Sequence, residues 1–231
     1  WFFLRGDRDT QKLEDKGCNF WVGNTTREFL DSVGLFNLPE KNIGAAYSSQ
    51  FRNFGGYSAT PMGVDQLKRF DDGLSNQKYG RRHLITLWNP LEEKQMPLTP
   101  CWWNVNAVVL PDENGIDYLH FKLSNRSLDT LFGFRYAAMN YRLFQIALCK
   151  KHGFELGELE CGLSHIHVYE NQYERAKELI ERTWDDSPNT ISLNKDITTL
   201  DDLLNLEWSD WHCEYTFNKE PFKTKRPIMV A

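Results

Sequence analysis

The chain has 231 residues, the length of one large domain or two small ones. Its 41% hydrophobic and 26% charged residues form a globular mixture and exclude a disordered, collagen-like or coiled-coil chain. With 27 Lys and Arg against 32 Asp and Glu the net charge is −5, which leaves no general cationic face for coating nucleic acid, so any anion must meet a local basic cluster. No apolar run approaches the roughly 18 residues of a membrane span, and no basic start leads into an apolar leader, so no membrane partner is expected. The sequence opens on Trp1 rather than Met, and the natural N-terminus is expected upstream. The five cysteines, Cys18, Cys101, Cys149, Cys161 and Cys213, show no Cys-x-x-Cys spacing. That pattern suits reduced thiols in the cytoplasm better than a disulfide framework or a zinc site.

In chain order, residues 51–57, carrying Gly55-Gly56, read as a strand entering a turn. Strands are predicted over 83–88, 102–110 and 118–123, the last two separated by the turn-formers Asp112-Glu113-Asn114-Gly115. Over 136–152 the residues Ala137, Ala138, Tyr141, Phe144, Ala147 and Leu148 recur at helical spacing, and Gly153 follows as a stop. Tyr173, Ala176, Leu179 and Ile180 predict a second helix over 170–184. The span 191–200 reads as a further strand and 200–206 as a short helix. Helices and strands mix without a βαβ rhythm, and no repeat or Gly/Ser linker divides the chain. The expectation is a single α+β domain over 1–231.

Among candidate reactive groups, Cys101 follows Pro100 at the entrance of a strand, a setting for a nucleophile. Cys18, Cys149 and Cys161 read as small buried hydrophobes. Arg81-Arg82 and Arg126-Ser127 suit phosphate oxygens through planar guanidinium forks and a hydroxyl, or are solvated surface pairs. His165, His167 and Tyr169 alternate as on a strand. Two of them could form half a metal site, but no third ligand stands at credible spacing, and a hydrogen-bonding polar strand is the stronger reading.

Taken together, these pieces resemble the thymidylate synthase family, which includes the phage nucleotide hydroxymethylases. Trp1-Phe2-Phe3-Leu4-Arg5-Gly6-Asp7 resembles its helix end and following turn, and Gly17-Cys18-Asn19-Phe20-Trp21 its folate-side tryptophan segment. Gly44-Ala45-Ala46-Tyr47-Ser48-Ser49-Gln50-Phe51-Arg52 is similar to its Gly-x-x-Tyr-Gly-x-Gln-Trp-Arg stretch, with Ser48 for a glycine. Val64-Asp65-Gln66-Leu67, Arg81-Arg82, Trp88-Asn89-Pro90, Met96-Pro97-Leu98, Pro100-Cys101, Arg126-Ser127-Leu128-Asp129, Phe132-Gly133 and His167-Val168-Tyr169 follow in the family's order, with 101 − 82 = 19 as its arginine-to-cysteine spacing.

The resemblance implies a mixed sheet packed with helices, one sheet face lying at a homodimer interface. It implies that Cys101 adds to carbon 6 of a pyrimidine nucleoside monophosphate, dUMP or dCMP. Carbon 5 is thereby made nucleophilic towards the methylene of 5,10-methylenetetrahydrofolate; no metal is implied. By the same resemblance Tyr47 and Arg126 join Cys101 in the catalytic group. Arg81 and Arg82 of a partner subunit, with Arg126 and Ser127, hold the phosphate. His167 and Tyr169 bind the sugar, and Trp21, Asp129 and Phe132 face the folate. Cationic neighbours are expected to lower the thiol's pKa. Three departures bear on the substrate: Ala137 stands where the family places its base-reading Asn or Asp, Trp102 replaces a histidine, and His165 replaces an aspartate. The run Phe132-Gly133-Phe134-Arg135 resembles the hydroxymethylase form of its loop, so the reading leans to 5-hydroxymethylation, with reductive methylation of dUMP as the alternative. An inactive nucleotide- or RNA-binding homologue is the reading of another class. The family's general acid/base glutamate is expected just upstream of Trp1, and 226–231 resembles the tail that closes over the folate.

Overall fold

The computed structural model describes residues 1–57, 63–182, 190–214 and 222–225. Four short helices come first, α1 (Phe2–Arg5), α2 (Gln11–Glu14), α3 (Arg27–Ser32) and α4 (Ser48–Arg52), and then the longer α5 (Gln66–Asn76). Strands β1 (Leu84–Thr86), β2 (Trp102–Pro111), β3 (Asp117–Asn125) and β4 (Leu128–Asp129) precede α6 (Gly133–His152). After it come β5 (Glu155–Leu163), β6 (Ile166–His167), α7 (Tyr173–Glu181), β7 (Thr190–Leu193), α8 (Leu200–Leu204) and β8 (Trp211–Glu214). The α+β expectation holds.

The main sheet runs β1-β2-β3-β5, antiparallel except for the parallel pair β3–β5, which α6 connects. β2 and β3 form a hairpin whose turn is tied by Asp112. Its Oδ1 accepts from the N–H groups of Asn114 (2.9 Å) and Ile116 (2.8 Å), while Gly115 takes the left-handed φ of 79° that a side chain disfavours. Along β2, Val105, Ala107 and Val109 turn inward and are buried, whereas Val108 and Leu110 are exposed on the other face. The inner face packs against α5 and α6: Phe70 of α5 meets Phe121 of β3 edge-on at 6.2 Å, and Phe121 meets Phe144 of α6 at 5.8 Å. α5 starts where Asp65 accepts from the Lys68 N–H at 2.9 Å, and it buries Leu67, Phe70 and Leu74 at helical spacing. Behind the phenylalanines, buried Asp71 of α5 accepts from Lys151 Nζ (2.9 Å) and pairs with His152 Nε2 (2.8 Å) at the end of α6.

Several predicted elements shift. The segment 51–57 is not a strand: Phe51 and Arg52 close α4, and only Phe54 makes an isolated bridge, to Val64. The turn of α4 is imposed by side chains, Ser49 Oγ donating to the Gly44 carbonyl (3.0 Å) and Gln50 Nε2 to the Ala45 carbonyl (2.7 Å). The strand over 191–200 is confined to β7, because Thr199 caps α8 by accepting from the Asp202 N–H. The helix over 170–184 divides into a 3-10 turn, Glu170–Gln172, and α7, and residues 183–184 lie outside the described residues. The tail-like run 226–231 also lies outside them. β5 and β8, not predicted from the sequence, pair with β3 and β7.

Candidate active site

Cys101 stands in the loop just before β2, between two clamps. On one side its N–H donates to Tyr47 Oη at 2.8 Å. On the other, its carbonyl accepts from the Arg126 N–H at 2.9 Å. The Arg126 guanidinium grips the loop before the cysteine, Nε donating to the Pro100 carbonyl (3.0 Å) and Nη2 to the carbonyl (2.9 Å) and hydroxyl (2.7 Å) of Thr99. It lies over the Trp88 ring, 5.3 Å from the centroid. No hydrogen bond engages Nη1 among the described residues, so this nitrogen remains to meet an anion.

Tyr47 is held by aromatic packing rather than by backbone preference. Its φ of 30° is strained for a side-chain-bearing residue, and its ring stacks on Phe3 at 4.9 Å and meets Trp21 edge-on at 5.7 Å. Gly44 makes the approach possible: its φ is +57°, and a Cβ there would lie 2.2 Å from the Gln95 carbonyl oxygen, in the loop leading to Cys101. Ser48, next to Tyr47, is fully buried and its hydroxyl has no partner among the described residues. Burial, with Cys101 and Tyr141 nearby, pushes the Tyr47 phenol well above its usual pKa. It therefore stays protonated and retains its own O–H as a donor.

The structure corrects one expectation about the nucleophile. Burial pushes the Cys101 thiol above its usual value; Arg126 pulls it down and Asp129 adds a further rise, and the net effect is upward. Arg126 acts in the expected direction but does not outweigh desolvation within one chain.

Asp129, in β4, ties the site to α6 and α7. Its Oδ1 accepts from the N–H groups of Leu131 (3.1 Å) and Phe132 (3.2 Å) at the start of α6, and its Oδ2 from Gln172 Nε2 (3.1 Å) just before α7. β4 pairs with β6, setting Asp129 opposite His167. His167 meets Tyr169 edge-on at 4.9 Å, and its Nδ1 lies 2.9 Å from the His165 carbonyl and 3.3 Å from His165 Nδ1. His165 itself has a left-handed φ of 41°, so the predicted alternating strand is reduced to Ile166–His167. Burial raises the Tyr169 phenol, with Asp129 and Cys101 adding to the rise. Ala137 packs on the same apolar cluster as Cys101 and Tyr47, and half-buried Ser127 follows Arg126. Phe132 lies 5.8 Å from the guanidinium of Arg175. Among the described residues, no group of three or more His, Cys, Asp or Glu could hold a metal ion.

One chain thus brings together Cys101, Tyr47, Arg126, Ser127, Asp129, Ala137, His167 and Tyr169, with Trp21 and Phe132 around them. It does not bring Arg81 and Arg82. Leu84 pairs with Asn106, so at about 3.3 Å per residue these two exposed arginines stand roughly 20 Å along β2 from the nucleophile. Thr99 was not singled out from the sequence, and Tyr141 only as an apolar position of a helix. Tyr141 carries a usable signal, since it lies four residues after Ala137 on the same helix face.

Residues 1–221 match a family model described as thymidylate synthase. The chain is 36% identical over 187 residues to a bifunctional dihydrofolate reductase-thymidylate synthase of Paramecium tetraurelia, covering 78% of this chain and 39% of that one. To the corresponding bifunctional protein of Leishmania amazonensis it is 33% identical over 218 residues, 91% of this chain and 41% of the relative. To the thymidylate synthase of Saccharomyces cerevisiae it is 31% identical over 223 residues, 91% of this chain and 73% of the relative. The chain spans about two fifths of the length of the bifunctional relatives. These relatives are named as synthases, and the matches do not support the lean towards a phage-type hydroxymethylase or dCMP.

Proposed function

The chain belongs to the thymidylate synthase family, and on that premise we propose that it catalyses reductive methylation of dUMP at carbon 5, with 5,10-methylenetetrahydrofolate as co-substrate. The observation that carries this reading is Cys101, fixed at its N–H by Tyr47 and at its carbonyl by Arg126. A binding protein needs a phosphate grip but has no use for a positioned thiol.

In this reading the Cys101 thiolate adds to carbon 6 of the pyrimidine, and the ring's electron pair becomes available at carbon 5. After transfer, loss of the carbon 5 proton breaks the bond between the methylene and the folate nitrogen and leaves an exocyclic methylene; hydride from the folate adds to that methylene, and the displaced electron pair expels Sγ from carbon 6 as thiolate, leaving a methyl on carbon 5. The folate supplies the one-carbon unit and the hydride. Arg126, with Nη1 open, holds the phosphate beside Ser127 and offsets part of the desolvation that keeps the thiol protonated. Tyr47 donates its O–H into the site, and His167 and Tyr169 bind the sugar. The aromatic rings of Trp21 and Phe132 are suited to packing on a flat pterin, and Asp129 is assigned to the folate side with them.

Arg81 and Arg82 complete the phosphate grip from a second subunit. Supporting this, their guanidinium groups are exposed and unpaired among the described residues, and the outer sheet face beside them exposes Leu84, Val108 and Leu110. The experiment is tritium release from [5-³H]dUMP with methylenetetrahydrofolate, together with dTMP formation. Wild type is expected to release tritium in step with dTMP, and Cys101→Ala to do neither while still binding dUMP. Formation of 5-hydroxymethyl product in place of dTMP would return the reading to hydroxymethylation.

A further inference from the structure

Asn125 ends β3, immediately before Arg126, and stands opposite Trp102, the residue after Cys101. Residues directly opposite in an antiparallel pair share a face, and Trp102 packs on Tyr141 of α6 with ring centroids 5.9 Å apart. Ala137 lies one turn before Tyr141 on the same side of that helix. The Asn125 amide and the Ala137 methyl therefore belong to one layer between sheet and helix, beside the nucleophile.

Asn125 is 2% exposed, and neither its Oδ1 nor its Nδ2 has a hydrogen-bond partner among the described residues. Its backbone is satisfied, the carbonyl accepting from the Ser164 N–H at 3.0 Å. The other buried amides differ: Asn24 and Gln172 leave one atom unpaired, whereas Asn125 leaves both. A buried amide left without partners destabilises the fold, so packing alone gives no reason for an amide here. Buried in the layer beside half-buried Ala137, the amide keeps both its donor and its acceptor without a partner from the protein among the described residues.

We infer that Asn125 reads the pyrimidine edge in place of the amide that position 137 lacks. The inference rests on the reading above that the pocket takes a pyrimidine nucleotide. An amide complements uracil by accepting from N3–H and donating to O4. Turned by a half rotation it complements cytosine, donating to N3 and accepting from the exocyclic amine. Among the described residues no neighbour fixes which way the Asn125 amide points, so it can engage either edge.

The test is Asn125→Leu, which keeps the side chain's approximate shape and removes both polar functions. Calorimetric titration of the full chain should show affinity for dUMP and for dCMP each falling at least tenfold, with affinity for 2-deoxyribose 5-phosphate unchanged. The melting temperature should stay the same or rise, because an unsatisfied amide has been removed. Adding Ala137→Asn to Asn125→Leu should restore dUMP binding from the neighbouring position. Nucleotide affinity within twofold of wild type, an equal loss for the sugar phosphate, or a lowered melting temperature each overturns the inference, the last because it would make Asn125 a bonded structural residue. Failure of wild type itself to bind dUMP would instead sink the reading of the pocket, and the inference with it.

Discussion

Burial raises the Cys101 thiol and Arg126 lowers it, so the thiolate fraction in the free protein is small near neutrality and grows as pH rises. Alkylation of Cys101 by iodoacetamide should accordingly be slower at pH 7 than that of a free cysteine and accelerate through the alkaline range. Arg126→Met removes the cation but leaves burial in place, so its alkylation profile should move further up the pH axis. A profile unchanged by the substitution would show that the guanidinium does not act on the sulfur. Position 101 was legible in the sequence from Pro100 and the strand that follows, and so was Arg126. Its thiol pKa was not, because the expectation counted cations and could not count desolvation. Nor was the use of Arg126 Nε and Nη2 to brace Thr99 and Pro100, since a sequence does not show which carbonyls a loop leaves unpaired.

At the level of elements, α5 and α6 are joined by a buried ionic contact beneath their phenylalanine packing. Burial raises the Asp71 carboxyl, but hydrogen bonds from His152 and Lys151 outweigh it and hold the pKa below the usual carboxylate value. A depressed folded-state pKa means that this contribution to stability is fully present above the unfolded value of 3.8 and is lost as pH falls through the lower folded value. Asp71→Ala should therefore destabilise by about 3–5 kcal/mol at pH 7, leaving Lys151 buried without its partner. Denaturant titrations should show the gap between variant and wild type narrowing in strong acid; a gap independent of pH would assign the loss to packing. The sequence disclosed α6 through its apolar spacing, though not its first turn, which Asp129 holds by accepting from Leu131 and Phe132. It misplaced α4, because aromatic residues beside paired glycines look like a strand and the helical turn depends on side-chain bonds to Gly44 and Ala45. It missed β5, whose glutamates and glycines carry little strand propensity; this edge strand is fixed by its parallel register with β3.

For the whole molecule, an isologous pair through the outer sheet face would cover Leu84, Val108 and Leu110 and carry Arg81 and Arg82 towards the partner's site. Leu110→Glu should convert the protein to a monomer in sedimentation velocity and abolish turnover without unfolding it. Mixing inactive Cys101→Ala and Arg82→Ala chains should restore part of the activity through hybrid sites. An active monomer would remove the shared-site arrangement.

The mixed sheet also sets an order of assembly. The β2–β3 hairpin joins neighbours in sequence through the Asp112–Gly115 turn, whereas β5 reaches β3 only after the twenty residues of α6 have been laid down. Loop closure favours the local pairing, so the hairpin that seats Cys101 beside Arg126 should form ahead of the parallel crossover. Stopped-flow refolding offers a direct reading. Gly115→Ala, which strains the turn, should mainly slow folding, while Leu159→Ala in β5 should mainly speed unfolding. The reverse pattern would place the crossover first. In the expected order, the cysteine loop meets its arginine while the helix bearing Ala137 is still unpacked, and the seat of Cys101 is built before the helical wall beside it.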